Sequence, residues 1–199
     1  MTAATRFRAV AVGCSAGGLE ALRQLLAPLP REFPLPVVVV AHMAPDGGSL
    51  LAELLESVCR LSVAEAEEKA KALPGHVYVA PPGYHLLVEE DETFSLSVDE
   101  KVCNVRPSID VLFQSAADTW GCGLIGVVLT GANSDGTAGL RAIRQMGGYC
   151  LVQDPTQAFA DTMPRSAIDA GLADCVLPLA ALAGQLMALA PPQPRRGGR

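Results

Sequence analysis

The sequence predicts an α/β fold: a doubly wound, mainly parallel sheet flanked by helices on both faces, with an added antiparallel hairpin. Short apolar runs rich in valine and isoleucine alternate with longer segments of helical period. The run VVVVA at residues 37–41 carries no polar alternation, as a strand covered on both faces requires. Two such runs lead directly into glycine-rich turns, GCSAGG and TGANSDG, each ahead of a helical segment.

The elements follow in order. Residues 8–12 read as the first strand and 17–26 as a helix with Leu19, Leu22, Leu25 and Leu26 on one face, stopped by Pro28 and Pro30. Strand 37–41 feeds through His42, Pro45 and Gly47-Gly48 into a helix carrying Leu50, Leu51, Leu54 and Leu55, and Val63 begins a short third strand. HVYVA at 76–80 is a strand ending in Pro81-Pro82-Gly83. Residues 84–88 and 94–98 pair as a hairpin closed by the acidic turn 89–92, expected to decorate one edge of the sheet. Pro107 suits a first helical position and opens a helix through Ile109, Leu112, Phe113 and Ala116 that ends near Gly121. Strand 124–129, turn 130–136, a helix to Met146, strand 149–152 and a helix from near Pro164 restore the alternation. A strand at 175–177 and a helix over 178–189 close it. Residues 1–190 therefore read as one domain, and the tail 191–199, PPQPRRGGR, as disordered for want of an apolar anchor.

Composition narrows the function. Of 199 residues, 50% are hydrophobic and 18% charged, which excludes disorder and allows a full core without staples. Fifteen Lys+Arg against 21 Asp+Glu give a net charge of -6, no footprint for nucleic acid or anionic lipid. Aromatic residues, at 5%, are too few for base-stacking platforms. No apolar run approaches the ~20 residues that span a bilayer, and no signal-peptide pattern opens the chain, so a cytoplasmic protein without membrane insertion is expected. Six scattered cysteines without a Cys-x-x-Cys pair and only three histidines predict no metal site and no cofactor.

Gly13-Cys14-Ser15-Ala16-Gly17-Gly18 fits the G-x-S-x-G nucleophile turn. A dinucleotide-type phosphate turn is its rival, though the G-x-G-x-x-G order is missing and His42, not an acid, ends the second strand. A tight turn with serine chosen for size is the plain alternative. A nucleophilic serine needs a base at the same carboxyl edge. His42 follows VVVVA and meets that requirement, whereas His76 precedes its strand and His85 enters a hairpin unconstrained; a merely structural His42 remains the alternative. Asp135, after the apolar strand and between Gly131 and Gly136, is the favoured carboxylate. Asp154 and Asp46 compete for that role, and Asp135 or Asp154 could equally be caps or turn formers. The order Ser, His, Asp departs from that of α/β-hydrolases, which place histidine last. Cys14 as nucleophile ranks below Ser15, because alternation at a strand end turns it into the packing.

The segments VAVGCSAGGLEAL, VVVVAHMAPD, LPGHVYVAPPGYHLLVE, RPSIDVLFQSAA, GVVLTGANSDGTAGL and MPRSAI, in this order over nearly the whole chain, resemble the catalytic domain of the CheB-type chemotaxis protein-glutamate methylesterases. The resemblance implies a serine hydrolase that releases methanol from glutamate methyl esters on chemoreceptors and can deamidate receptor glutamines. It implies a triad of Ser15, His42 and Asp135, backbone oxyanion donors at Ala16 and Ala132, and Arg106 either near an acidic substrate or in an ordinary surface salt bridge. Many members carry Thr and Met where this chain has Ala16 and Ala132, which leaves a catalytically impaired docking module for receptor or kinase as the alternative. Most members also carry a receiver domain ahead of the catalytic one; here the first strand starts within ten residues of Met1, so no receiver domain is expected. The implied partners are methyl-accepting receptors and a separate response-regulator or methyltransferase domain.

Overall fold

The computed structural model describes residues 7–42 and 49–190. The first half runs β1 (Ala9–Cys14), α1 (Gly18–Leu26), β2 (Val37–Ala41), α2 (Ser49–Glu56), β3 (Ser62–Glu65) and β4 (His76–Val79). A hairpin, β5 (His85–Val88) and β6 (Phe94–Ser97), then leads to α3 (Ile109–Trp120). The second half runs β7 (Leu124–Val128), α4 (Thr137–Gln145), β8 (Tyr149–Gln153), α5 (Thr162–Asp169), β9 (Cys175–Leu177) and α6 (Leu179–Leu189).

Seven strands form one sheet in the order β3-β4-β2-β1-β7-β8-β9, every pair parallel. The chain starts at the centre, builds to one edge, and returns through α3 to the other side of β1. At that reversal the carboxyl ends of β1, β2 and β7 converge, the crevice in which open α/β sheets hold their sites. All six residues of β1 are buried, as its central place demands.

Alternation along β1 divides the core in two. Val10, Val12 and Cys14 pack with Leu22, Leu25 and Leu26 of α1, Leu51 and Leu55 of α2, and Leu182 and Leu186 of α6. On the opposite face, Ala9 and Ala11 meet Leu112, Phe113 and Ala116 of α3, with α4 and α5 alongside. Each fully buried leucine contributes about 1.5–3 kcal/mol, so α1 owes its stability to this stripe more than to its nine residues of intrinsic propensity. At Gly13 a Cβ would lie 2.4 Å from Ile109 Cγ2. Only glycine there lets the first turn of α3 settle against the end of β1.

Two expectations are corrected. The hairpin adds no strand to either edge of the main sheet; it is a two-stranded sheet of its own. Its Leu86, Val88 and Phe94 are buried in the α3-side core, because a face packed on a helix buries more apolar surface than an edge would. Pro107 is not the first helical residue either. Ser108, in extended conformation, is the N-cap, and Pro107 precedes it. Pro45, Asp46, Gly47-Gly48 and the tail 191–199 lie outside the described residues.

Candidate active site

Ser15 and His42 are each the first residue beyond a paired strand end. Cys14 pairs with Ala41 in the β1–β2 register, and the His42 amide donates to the Cys14 carbonyl at 3.0 Å. The Ser15 amide donates to Thr130 O at 2.9 Å, which ties the serine turn to the loop after β7. Gly17, at φ 77°, turns the chain into α1 in a conformation that favours glycine. Ser15, Ala16, Gly17, Gly18, Ala41 and His42 line one open cleft of about 440 Å³.

Asp135 completes the constellation from the loop between β7 and α4. It is fully buried, and all its acceptor capacity is used. Oδ2 accepts from His42 Nε2 at 2.8 Å and from the Ile109 amide at 2.7 Å. Oδ1 accepts from Ser108 Oγ at 2.8 Å and from the Asp110 amide at 3.0 Å. Two donors are thus free amides of the α3 N-terminus, where the helix dipole also favours a carboxylate. Burial alone would push the Asp135 carboxyl up, but the bonds from His42, Ile109, Asp110 and Ser108 outweigh it and hold it below the ordinary range.

An ionised Asp135 fixes the His42 tautomer. Nε2 must carry the proton, which leaves Nδ1 as the nitrogen with a free lone pair. Asn133 agrees with this assignment. Its Oδ1 accepts from the Asp135 amide at 3.2 Å, so its Nδ2 is the end that faces His42 Nδ1, at 3.4 Å. Ser15 Oγ makes no hydrogen bond among the described residues.

The sequence rivals take other places. Asp154 accepts from the amide and hydroxyl of Thr156, both at 2.8 Å, and caps the turn that follows β8. Asp46 lies outside the described residues. Cys14 is fully buried, and burial pushes its thiol up to about 12, far from a thiolate at neutral pH. His76 bonds Pro74 O and stacks on Tyr78 at the far end of the sheet. Arg106 overturns its salt-bridge alternative: Nη1 donates to Val98 O at 2.5 Å and Asp99 O at 2.8 Å, and no carboxylate pairs with it among the described residues. It pins the strap that leads into α3.

Several residues beyond the predicted set shape the site. His85, 1% exposed, holds Glu100 O through Nε2 at 3.0 Å and accepts the Ser108 amide through Nδ1 at 3.2 Å, so it orients the residue that bonds Asp135. The Asp110 carboxylate accepts from the Gly136 and Gly139 amides at 2.9 and 2.7 Å and so joins the starts of α3 and α4. Burial, with the Asp135 charge beside it, holds its carboxyl above the ordinary range despite those amides. Cys103, Asp110 and Asp135 bring potential ligand atoms within 4.8 Å of one another. Both Asp135 oxygens and Asp110 Oδ1 already accept from N–H and O–H donors, so the group does not suit a cation. The serine turn shows the same mismatch for a dinucleotide: no acid ends β2.

Residues 10–186 match the family model described as CheB methylesterase. The chain belongs to the CheB methylesterase family. A relative in Leptospira interrogans, provisionally named a protein-glutamate methylesterase/protein-glutamine glutaminase, is 48% identical over 177 residues, covering 89% of this chain and 92% of that protein. Protein-glutamate methylesterase/protein-glutamine glutaminase 3 of Burkholderia lata is 41% identical over 182 residues, 90% of this chain but 50% of its own length. The crystal structure of the Thermotoga maritima CheB methylesterase catalytic domain superposes with a TM-score of 0.90 at 36% identity, over 92% of this chain and 99% of that one. The CheB fold therefore accounts for the sheet order and for the crevice that holds Ser15, His42 and Asp135.

Proposed function

We propose that this CheB-family chain hydrolyses glutamate methyl esters on chemoreceptors, releasing methanol, and deamidates receptor glutamines, with Ser15 as nucleophile, His42 as base and Asp135 as its orienting carboxylate. The observation that carries the reading is the fully satisfied, buried Asp135 bonded to His42 Nε2 beside the open serine turn.

The chemistry follows from the tautomer. Nδ1 of His42 takes the Ser15 proton as Oγ attacks the ester carbonyl, and Asp135 stabilises the imidazolium that forms. The amides of Ala16 and Ala132 find no acceptor among the described residues and serve as oxyanion donors. Because these donors are backbone groups, alanine at either position leaves them intact. Collapse passes the proton from Nδ1 to the leaving methoxide, and methanol departs. Water then attacks the acyl-enzyme with Nδ1 again as base, regenerating Ser15 and leaving a glutamate. With a glutamine substrate the same steps expel ammonia. Arg106 enters as the anchor of the strap, residues 98–106, that leads into α3.

This reading places the chain in the cytoplasm, with methyl-accepting chemotaxis receptors as substrates and a response-regulator or methyltransferase domain as regulatory partner. Among the described residues no helix is long and apolar enough to cross a membrane. The test is methanol release from methylated receptor, together with fluorophosphonate labelling. Wild type is expected to release methanol and to be labelled at Ser15, and Ser15→Ala to do neither. Release by Ser15→Ala at the wild-type rate sinks the assignment.

A further inference from the structure

Phe159 is 83% exposed, more than any other large apolar side chain among the described residues. Single exposed apolar residues are ordinary on protein surfaces. This one is set apart by its mounting. Its Cβ lies 2.6 Å from where a Gly17 Cβ would be, so the aromatic side chain rests on the turn that carries Ser15. Next to it, the Ala160 amide donates to Thr130 Oγ1 at 2.9 Å, and Ala160 O accepts from the Gly131 amide at 2.9 Å. The same Thr130 hydroxyl reaches Ala16 O at 2.8 Å. The loop is therefore stapled to both segments that carry the proposed oxyanion donors, and it holds a phenyl ring in solvent at the rim of the cleft.

A glutamyl ester explains why a ring would be kept there. Its carbonyl carbon is only three carbon–carbon bonds from Cα, about 4 Å. Attack by Ser15 then forces the polypeptide that bears the ester onto the rim, against whatever stands beside Gly17. We propose that Phe159 is a specificity-determining residue whose ring packs on the apolar flank of the receptor segment presenting the ester. This rests on the methylesterase reading above. A small ester, with no polypeptide attached, misses that contact while meeting the same Ser15, His42 and Asp135.

The experiment measures kcat/KM of wild type, Phe159→Ala and Phe159→Leu on a methylated receptor signalling fragment and on p-nitrophenyl acetate. The ratio of receptor to small-ester kcat/KM is expected to fall at least tenfold in Phe159→Ala, mainly through a higher KM for receptor, and to recover partly in Phe159→Leu. An equal fall on both substrates, or a lower melting temperature with it, makes the ring a prop for the serine turn and overturns the inference. So does an unchanged ratio. If Phe159→Ala instead converts a wild-type dimer to monomer with receptor kinetics intact, the ring docks a second copy and the inference falls. A wild type that cleaves p-nitrophenyl acetate but releases no methanol overturns the methylesterase reading and this inference together, a result distinct from all the others.

Discussion

Asp135 is the residue on which the site turns, since its two oxygens receive four donors from two separate parts of the chain, His42 after β2 and residues 108–110 at the start of α3. Removing one donor should therefore be felt. Ser108→Ala deletes a hydrogen bond to a buried charge and is expected to cost about 1.5–3 kcal/mol, read as a lower denaturant midpoint with unchanged slope. An unchanged midpoint would mean that the Ser108 hydroxyl is not bonded to the carboxylate. Asp135→Asn puts an amide NH₂ among donors and frees the His42 tautomer. The expected loss in kcat is on the order of 10^4, the cost of the equivalent change in a serine-protease triad. A kcat within tenfold of wild type would remove Asp135 from the mechanism. Ser15, His42 and Asp135 could be singled out from sequence because each follows an apolar strand to one sheet edge. Ser108, His85 and Asn133 could not, because their roles arise from contacts 23, 27 and 91 residues apart that leave no local period or motif.

At the scale of elements, α3 is the piece that assembles the site, because its first turn brings the Ile109 and Asp110 amides to Asp135 while its apolar face covers β1. Gly13 makes this approach possible. Gly13→Ala sets a methyl 2.4 Å from Ile109 Cγ2 and should displace that turn, costing about 1–3 kcal/mol and lowering kcat with it. Ile109→Ala in the same chain opens the space and should restore part of the activity, a non-additive pair that chemical denaturation and methanol release would both report. If the two changes simply add, the contact is not what Gly13 serves. Most elements were legible because strands buried on both faces and helices with one apolar stripe differ in period. The strands at 37–41 and 175–177 have the boundaries read from sequence. The placement of the hairpin and of Pro107 was not legible. An apolar hairpin carries the same alternation whether it lies on an edge or on a helix, and a proline fits both N1 and the position before a serine cap.

For the molecule as a whole, Asp110 and Asp135 link the two halves of the sheet to pH in opposite senses. Asp135 has a depressed carboxyl, so the stability it contributes is present above the ordinary carboxyl range and is lost as pH falls through that range toward its folded value. Asp110 has a raised carboxyl, so the stability of its protonated form is present below the ordinary range and is lost as pH rises through its folded value. Acidification from neutrality should therefore relieve the burial of Asp110 charge first and release Asp135 from its donors second, giving a melting temperature that peaks on the mildly acidic side. Asp110→Asn separates the two arms. Its Oδ1 can still accept from the Gly136 and Gly139 amides, and its Nδ2 carries no charge to repel Asp135. At pH 7 this variant should melt above wild type, at about 2–4 °C per kcal/mol gained for a chain of this size. The advantage should shrink to nothing as pH falls into the ordinary carboxyl range, where wild-type Asp110 is itself protonated, while the acid arm set by Asp135 stays in place. A variant that melts below wild type at pH 7, or whose difference from wild type does not vary with pH, would show that the Asp110 charge holds the α3–α4 junction together instead of straining it.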